Sequence, residues 1–288
     1  QRRQLALKAF RHTAEYDTII QSELSLRFDE EDLPQSLHIT GVGSPPLRYG
    51  ENPHQSSIFY TDSLFEGPCV SNSEQLQGKQ LSYNNLLDFD AALAIVMEFE
   101  EPTAVIVKHN NPCGAASDEH LIKAYDLAVQ TDPESSFGGI IAFNRKVNEK
   151  LAESVTSAFK EGVIAPSYTD SALSVLSNKE NLRVLETGPL SDYERRPSLR
   201  SIDGGWLFQE ADNVSIDLSE CKVVTKRIPN TDEMKGLQFG WNIVKHVKSN
   251  AIVFTQEQRT VGIGAGQMSR IDSVRIAASK SIPNAENT

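Results

Sequence analysis

The stretch Thr103-Ala-Val-Ile-Val-Lys-His-Asn-Asn-Pro-Cys-Gly114 decides how the fold is interpreted. Its first five residues form a β-branched run, which is typical of a strand buried on both faces and indicates a parallel strand at the centre of a sheet. The run stops at Lys108 and His109, and residues 110–114 predict an open turn. Open α/β sheets bind ligands beyond the carboxyl ends of their strands, so the Lys-His pair is predicted to face a ligand. The alternative is a strand that ends in two polar residues because they reach water.

The composition limits the classes of protein to which the chain can belong. Its 288 residues suggest one large domain or two, with ordinary apolar (39%) and charged (23%) fractions. The 28 Lys and Arg against 39 Asp and Glu give a net charge of −11, which argues against general binding to nucleic acid or a membrane surface. Cys69, Cys113 and Cys221 are far apart and predict a reducing, cytoplasmic compartment without disulfides. No apolar run approaches the roughly 18 residues of a membrane span.

The beginning of the chain is predicted to be separate from the rest. Residues 2–24 carry apolar residues at near-helical spacing and predict a helix. Residues 26–45 are polar and irregular and predict a linker or a domain boundary. The next stretch, 47–55, contains Gly50 and Pro53 and predicts a loop crowded with hydrogen-bond donors.

Helices and strands then alternate, which is the signature of an α/β fold. Ser117 and Thr231 are predicted to cap two of the helices, and Leu237 and Trp241 to lie on the buried face of the second of these. One predicted helix begins at Asn84 or Asn85 and ends before Pro102, and the others cover 117–130, 147–160, 169–177, 231–249 and 269–280. The predicted strands are 103–107, 140–143, 163–165, 182–185 and 251–254, with a hairpin or a strand entry near 200–207.

Three other places carry polar groups or glycines suited to a site. Arg48 presents a planar fork that suits phosphate or carboxylate, although a surface turn with a cation–π pair is the alternative. The loop 131–139 ends in two glycines, which let the backbone approach a ligand closely. Asn250 precedes a strand, where it is either a site residue or simply a turn residue.

Several catalytic motifs are absent from the sequence. It contains neither a GxxxxGK[ST] phosphate loop nor a GxSxG nucleophile elbow. The run Gly262-x-Gly-x-Gly266 departs from GxGxxG, so it is a weak dinucleotide signal. Pro112-Cys113 matches part of the zinc deaminase signature, but Ala116 stands where a second cysteine is needed and no H-x-E triplet exists. We therefore expect no catalytic metal.

The remaining candidate residues suit non-covalent group transfer. A histidine can accept a proton from a weak nucleophile. A lysine can stabilise a developing oxyanion, and an arginine can anchor a phosphate. Such a reaction requires no residue of the protein to become acylated.

Five stretches of the sequence carry a resemblance to a known family. In order along the chain they resemble motifs of the AICAR transformylase domain of the bifunctional AICAR transformylase/IMP cyclohydrolase family. The resemblance runs from about Pro46 to the end, and residues 5–17 resemble the last helix of the family's cyclohydrolase domain. The motifs are Leu47-Arg-Tyr-Gly-Glu-Asn-Pro-His-Gln55, Val107-Lys-His-Asn-Asn-Pro-Cys-Gly114, Ser135-Ser-Phe-Gly-Gly139, Lys248-Ser-Asn-Ala251 and Gly262-Ile-Gly-Ala-Gly-Gln267.

The resemblance implies a fold, a reaction and a domain division. The fold would be a cytidine-deaminase-like, three-layer α/β sheet-and-helix fold in two related halves, without zinc. The formyl group of 10-formyltetrahydrofolate, a co-substrate, would pass to the 5-amino group of AICAR, in a homodimer with sites at the subunit interface. Residues 1–28 would be the remnant of the cyclohydrolase domain, 29–45 a linker and 46–288 the transformylase domain.

The resemblance also implies roles for residues near the reaction. His109 would handle the amine proton with help from the substrate's carboxamide, and Lys108 would stabilise the oxyanion. Asn250 would orient the reacting groups. Ile263 and Gln267 would face the folate.

Five further positions are implied to bind the nucleotide. Arg48 and Tyr49 would hold its phosphate, and His54 would lie beside its base. Phe137 and Gly138 would line its pocket.

The family's transformylase domain is expected to continue past residue 288, and nearly all of the cyclohydrolase domain is expected to be missing. We therefore expect no cyclohydrolase activity from this chain. Two alternatives stay open: an inactive fragment that keeps only the fold, and a deaminase-like hydrolase, which stoichiometric zinc would favour.

Overall fold

A computed structural model describes residues 1–28, 36–62, 65–191 and 195–281. The chain divides into one unit of Gln1–Pro46 and Ile58–Glu66 and a second of Leu47–Ser57 and Gly67–Thr288. The first unit contains helix α1 (Arg2–Phe28) and the short antiparallel strands β1 (Val42–Gly43) and β2 (Tyr60–Thr61). The helix predicted near the start of the chain is confirmed. Residues 29–35 of the predicted linker, and the last residues from 282 onward, lie outside the described part.

The second unit is built on a mixed sheet of eight strands among the described residues. Their order is β11-β12-β5-β4-β6-β7-β8-β3, in which β6-β7 and β7-β8 are parallel and the other pairs are antiparallel. Strands β9 and β10 form a separate hairpin. The bounds are β3 (Glu74–Gln77), β4 (Thr103–Lys108), β5 (Asn111–Ser117), β6 (Ile140–Phe143), β7 (Gly162–Ala165), β8 (Arg183–Glu186), β9 (Ser198–Ile202), β10 (Gly205–Gln209), β11 (Ile252–Gln256) and β12 (Arg259–Gly264).

Helices cover both faces of this sheet. Side chains of β4 alternate between two apolar cores, with Ile106 facing one and Val107 the other. Helices α3, α5 and α6 contribute to the first core, and α2 and α7 to the second. The arrangement is therefore a helix–sheet–helix α/β fold. The bounds are α2 (Tyr83–Val96), α3 (Leu121–Thr131), α4 (Pro133–Ser136), α5 (Glu149–Thr156), α6 (Asp170–Ser177), α7 (Thr231–Val244) and α8 (Arg270–Ser281).

Strand β4 is central and fully buried as predicted, but the prediction of a parallel strand is wrong. It pairs antiparallel with β5 on one side and β6 on the other. An apolar run reports burial on both faces, which any central strand has, whatever the direction of its neighbours. The predicted open turn at 110–114 is also wrong, because His109 and Asn110 make a two-residue hairpin turn and β5 begins at Asn111.

Some predicted helix boundaries are wrong as well. Ser82, rather than Asn84 or Asn85, caps α2, and Asn85 completes its capping box. Asn230 caps α7 with Glu233 in the same way, so the predicted cap at Thr231 is one residue late. Such shifts are expected when several neighbouring residues can serve as a cap.

The predicted cap of α3 belongs to a strand instead. Ser117 ends β5 and is hydrogen bonded to Thr103, so α3 starts after His120 instead. In the glycine run, Gly262 and Gly264 lie in strand β12, and Gly266 follows the strand with φ 66°.

The buried face of α7 also differs from the prediction. Leu237 and Trp241 are exposed, whereas Phe239 and Ile243 are buried. The error is one of helical phase, because both pairs have a spacing of four residues.

Candidate active site

Lys108 and His109 lie at the tip of the β4–β5 hairpin. His109 (φ 54°) and Asn110 (φ 59°) both adopt the left-handed conformation that a two-residue hairpin turn of this type requires. The Asp88 carboxylate on α2 accepts from the amides of His109 (3.3 Å) and Asn110 (2.7 Å). Asp88 thus fixes the backbone of a turn made of two non-glycine residues with positive φ, from which the His109 side chain is exposed.

Replacing Asp88 with alanine should destabilise this turn. Charge-assisted hydrogen bonds to backbone amides contribute about 1.5–3 kcal/mol, so we expect the free energy of unfolding to fall by about that amount. Chemical denaturation of the Asp88→Ala variant tests this. Asp88→Asn keeps an acceptor oxygen and should lose less; an equal loss in both variants would contradict a role for the acceptor.

The Lys108 side chain crosses to the segment that follows α4. Its Nζ donates to the carbonyl oxygen of Phe137 over 2.8 Å. Gly138 has φ 71°, and its amide donates to the carbonyl oxygen of Phe159 over 2.9 Å. The rings of Phe137 and Phe159 pack at 5.4 Å between centroids. The structure therefore brings Phe137 and Gly138 beside the Lys-His pair.

A first pocket of about 560 Å³ opens on one side of the pair. The guanidinium of Arg48 lies over the Tyr49 ring, 4.9 Å from its centroid, so the cation–π contact considered for this stretch is present. His54 is exposed in the turn closed by Gly50 and Gln55 and does not line this pocket. The lining includes Arg48, Tyr49, Asp88, Lys108, His109, Phe137, Gly138 and Lys160.

A second pocket of about 240 Å³ also has Lys108 and His109 in its wall. Ile263 on β12 lines it together with Ala265. Other lining residues are Asn111, Pro112, Cys113, Asp132, Ser135, Ile276 and Lys280. The Lys-His pair therefore separates two pockets.

Two charged residues of the second pocket, Lys280 and Asp132, are paired with each other. Lys280 on α8 forms an ion pair with Asp132, whose carboxylate also accepts from the amide of Ser135 at 3.0 Å. Burial alone would raise the pKa of Asp132, but the bonds from Lys280 and Ser135 hold it below its ordinary value. Burial raises the pKa of the Cys113 thiol to about 12, so this thiol is protonated at neutral pH.

The pairing of Asp132 makes stability depend on pH. Because its pKa is lower in the folded chain, its stabilising contribution is present above the unfolded value, about 3.9, and is lost as the pH falls through the folded value. We expect Asp132→Asn to lower the free energy of unfolding at pH 7, and the difference from wild type to shrink as the pH falls below about 4. Denaturant titrations across this range measure it, and a difference that did not vary with pH would contradict the ion pair.

Asn250 and Gln267 are brought together but do not line either pocket. The Asn250 Nδ2 donates to the carbonyl oxygens of Gln267 (2.9 Å) and Met268 (3.0 Å). The amide of Lys248 donates to Asn111 Oδ1 (3.1 Å), which ties this turn to the start of β5. Asn250 thus closes a turn that is anchored beside the Lys-His hairpin.

Sequence reasoning missed several residues of this site. Asp88, Lys160, Asp132 and Lys280 are not among the site residues predicted from the sequence. The contacts of these residues join positions 21 to 148 apart, which no local spacing pattern reports. A usable signal was Asn110, because asparagine tolerates positive φ in tight turns.

Comparison with known proteins identifies the family. A family model described as AICARFT/IMPCHase bienzyme matches residues 1–280. The chain belongs to this family. Within the AICARFT/IMPCHase family, the bifunctional purine biosynthesis protein PurH of Bacillus cereus is 46% identical over 287 residues, which are 100% of this chain and 56% of that protein. PurH of Halalkalibacterium halodurans is 48% identical over 276 residues, 96% of this chain and 54% of that protein.

The AICARFT/IMPCHase chain described here therefore spans about half the length of the curated relatives it matches. In the described residues, no group of three or more His, Cys, Asp or Glu side chains is placed to hold a metal ion. None of the helices in the described ranges is both long enough and apolar enough to cross a membrane.

Proposed function

We propose that this chain is the formyl-transferring part of a purine biosynthesis enzyme, passing the formyl group of 10-formyltetrahydrofolate to the 5-amino group of AICAR. The observation that carries the proposal is the position of Lys108 and His109 in the common wall of two pockets. A transfer between two substrates requires both to reach one set of reacting groups, and a shared wall provides this proximity. Membership of the AICARFT/IMPCHase family supports AICAR and 10-formyltetrahydrofolate as the two substrates.

The first pocket suits the nucleotide. Arg48 and Tyr49 lie at its edge, where the guanidinium fork can hold a phosphate. Phe137 and Gly138 form the wall beside the Lys-His pair. His54 lies outside the pocket lining, so its proposed place beside the base requires the 50–55 turn to approach the ligand.

The second pocket suits the formyl donor. Ile263 and Ala265 give it an apolar side on which a flat ring can pack. Gln267 follows this strand and would face the rest of the folate, while Asn250 would orient the reacting groups from the turn it closes. No catalytic metal has a place in this proposal.

The reaction follows from the groups at the common wall. The 5-amino nitrogen of AICAR attacks the formyl carbon, and the ammonium of Lys108 stabilises the resulting oxyanion. His109 accepts the proton of the attacking amine, with help from the substrate's carboxamide, and returns it to N10 of the folate as the carbon–N10 bond breaks. The products are the formylated nucleotide and tetrahydrofolate, and no covalent enzyme intermediate forms.

Further features of the family are part of the proposal. Residues 1–28 would be the end of a cyclohydrolase domain, 29–45 a linker and 46–288 the transformylase domain. The sheet and its two helical layers would be of the cytidine-deaminase-like type without zinc, and the chain would act as a cytoplasmic homodimer.

The test is formyl transfer from 10-formyltetrahydrofolate to AICAR by the 288-residue chain, followed through tetrahydrofolate absorbance. Turnover would support the proposal. AICAR binding by calorimetry without turnover would contradict formyl transfer by this chain and favour a fragment that keeps only the fold. Absence of both binding and turnover would overturn the site assignment.

A further inference from the structure

Lys160 is a buried lysine for which the proposed reaction has no role. It lines the first pocket from a position two residues before β7, and only 4% of its surface is exposed. Its Nζ donates to the carbonyl oxygen of Ser136 over 2.6 Å. Within the described ranges it has no other hydrogen-bond acceptor and no carboxylate partner. The adjacent Glu161 carboxylate binds the guanidinium of Arg183 instead, at 2.6 Å.

The protein therefore leaves most of this ammonium group unsatisfied. A lysine ammonium has three N–H donors, and buried donors without acceptors cost free energy. Burial lowers the pKa of Lys160, and Lys108 adds to this shift while Cys113 opposes it. Lys160 lines the first pocket, so a ligand in that pocket can supply the missing acceptors.

The surroundings of Lys160 place it at the reacting end of the pocket. Lys160 and Lys108 donate to the successive carbonyl oxygens of Ser136 and Phe137, at 2.6 and 2.8 Å. The two ammonium groups thus hold the same segment, and that segment forms the pocket wall. Two neighbouring positive charges favour a ligand that is rich in oxygen acceptors and carries negative charge.

This inference rests on the proposed function. We propose that Lys160 is a further nucleotide-binding residue, whose ammonium donates to an oxygen atom of AICAR in the first pocket while it holds Ser136. Lys160 does not line the second pocket, so its contribution is specific to the nucleotide and does not extend to the formyl donor.

The test compares the binding of two ligands to one variant by calorimetry. Hydrogen bonds to charged groups contribute enough that Lys160→Met should raise the Kd for AICAR about 10- to 100-fold. The Kd for tetrahydrofolate, which probes the second pocket, should stay within about twofold of wild type, because that pocket loses no contact. Lys150→Met removes an exposed lysine of α5 and should change neither value.

Two results would overturn the inference. One is an unchanged Kd for AICAR in Lys160→Met, and the other is an equal loss of affinity for both ligands, which would indicate a purely structural role. If Lys160→Met does not fold, Lys160→Gln keeps a donor toward Ser136 without the charge and should show the same selective loss. A wild-type chain that binds no AICAR would overturn the proposed function itself, so the two failures are distinguishable.

Discussion

Replacing His109 with alanine should lower kcat for formyl transfer by about 100- to 10,000-fold, because a positioned general base contributes that much. His109 lies at the tip of the β4–β5 hairpin and lines both pockets, so under the proposed function a proton leaving the AICAR amine can reach its imidazole. Under the proposed function AICAR should still bind, since the substitution leaves Arg48, the proposed phosphate anchor, in place. Steady-state kinetics with a separate calorimetric Kd for AICAR measures both quantities.

Two control variants separate chemistry from folding in that experiment. His109 has φ 54°, a conformation that asparagine tolerates well, so His109→Asn should preserve the turn yet be as inactive as His109→Ala. His120→Ala removes an exposed histidine near the opposite end of the same hairpin, whose side chain makes no capping bond, and should keep full activity. Substantial activity in His109→Asn would show that the imidazole is not the base.

The central strand shows how far the sequence could predict the fold. The apolar run Thr103–Val107 correctly indicated a strand buried on both faces, because burial depends on the side chains themselves. The antiparallel pairing of this strand could not be predicted from the run, because strand direction depends on which segments pack beside the strand. The tight turn was hidden because histidine occupies a positive-φ position where glycine or asparagine is usual.

The candidate site, like the fold, could be predicted from the sequence only in part. The adjacency of Lys108 and His109 is a property of the sequence, and the structure places both at the pockets. The residues that hold this pair lie on other elements. Asp88 on α2 accepts from the amide of the turn residue Asn110, and Phe137 at the end of α4 accepts from Lys108. Such partners are set by helix packing against the sheet, which residue patterns within one segment do not specify.

Replacing Gly264 with alanine should lower the free energy of unfolding by about 3 kcal/mol or more, the upper range for overpacking a well-packed interior. A Cβ at this position would lie 2.0 Å from the carbonyl oxygen of Ser273 in α8. That oxygen belongs to the backbone, so the clash can be relieved only if α8 moves away from β12. Urea denaturation, read as a change in the midpoint at constant m-value, measures the loss.

The same displacement of α8 from β12 should alter the second pocket more than the first. Ile263 on β12 and both Ile276 and Lys280 on α8 line the second pocket, so separating these two elements alters its walls. Tetrahydrofolate binding should therefore weaken more than AICAR binding in Gly264→Ala. Gly205→Ala is the matched control, because a Cβ there meets no atom within 4 Å, and its stability should change by less than about 0.5 kcal/mol. Wild-type stability in Gly264→Ala would show that α8 does not pack closely against β12. The assignment of Ile276 and Lys280 to the wall of the second pocket would then be wrong.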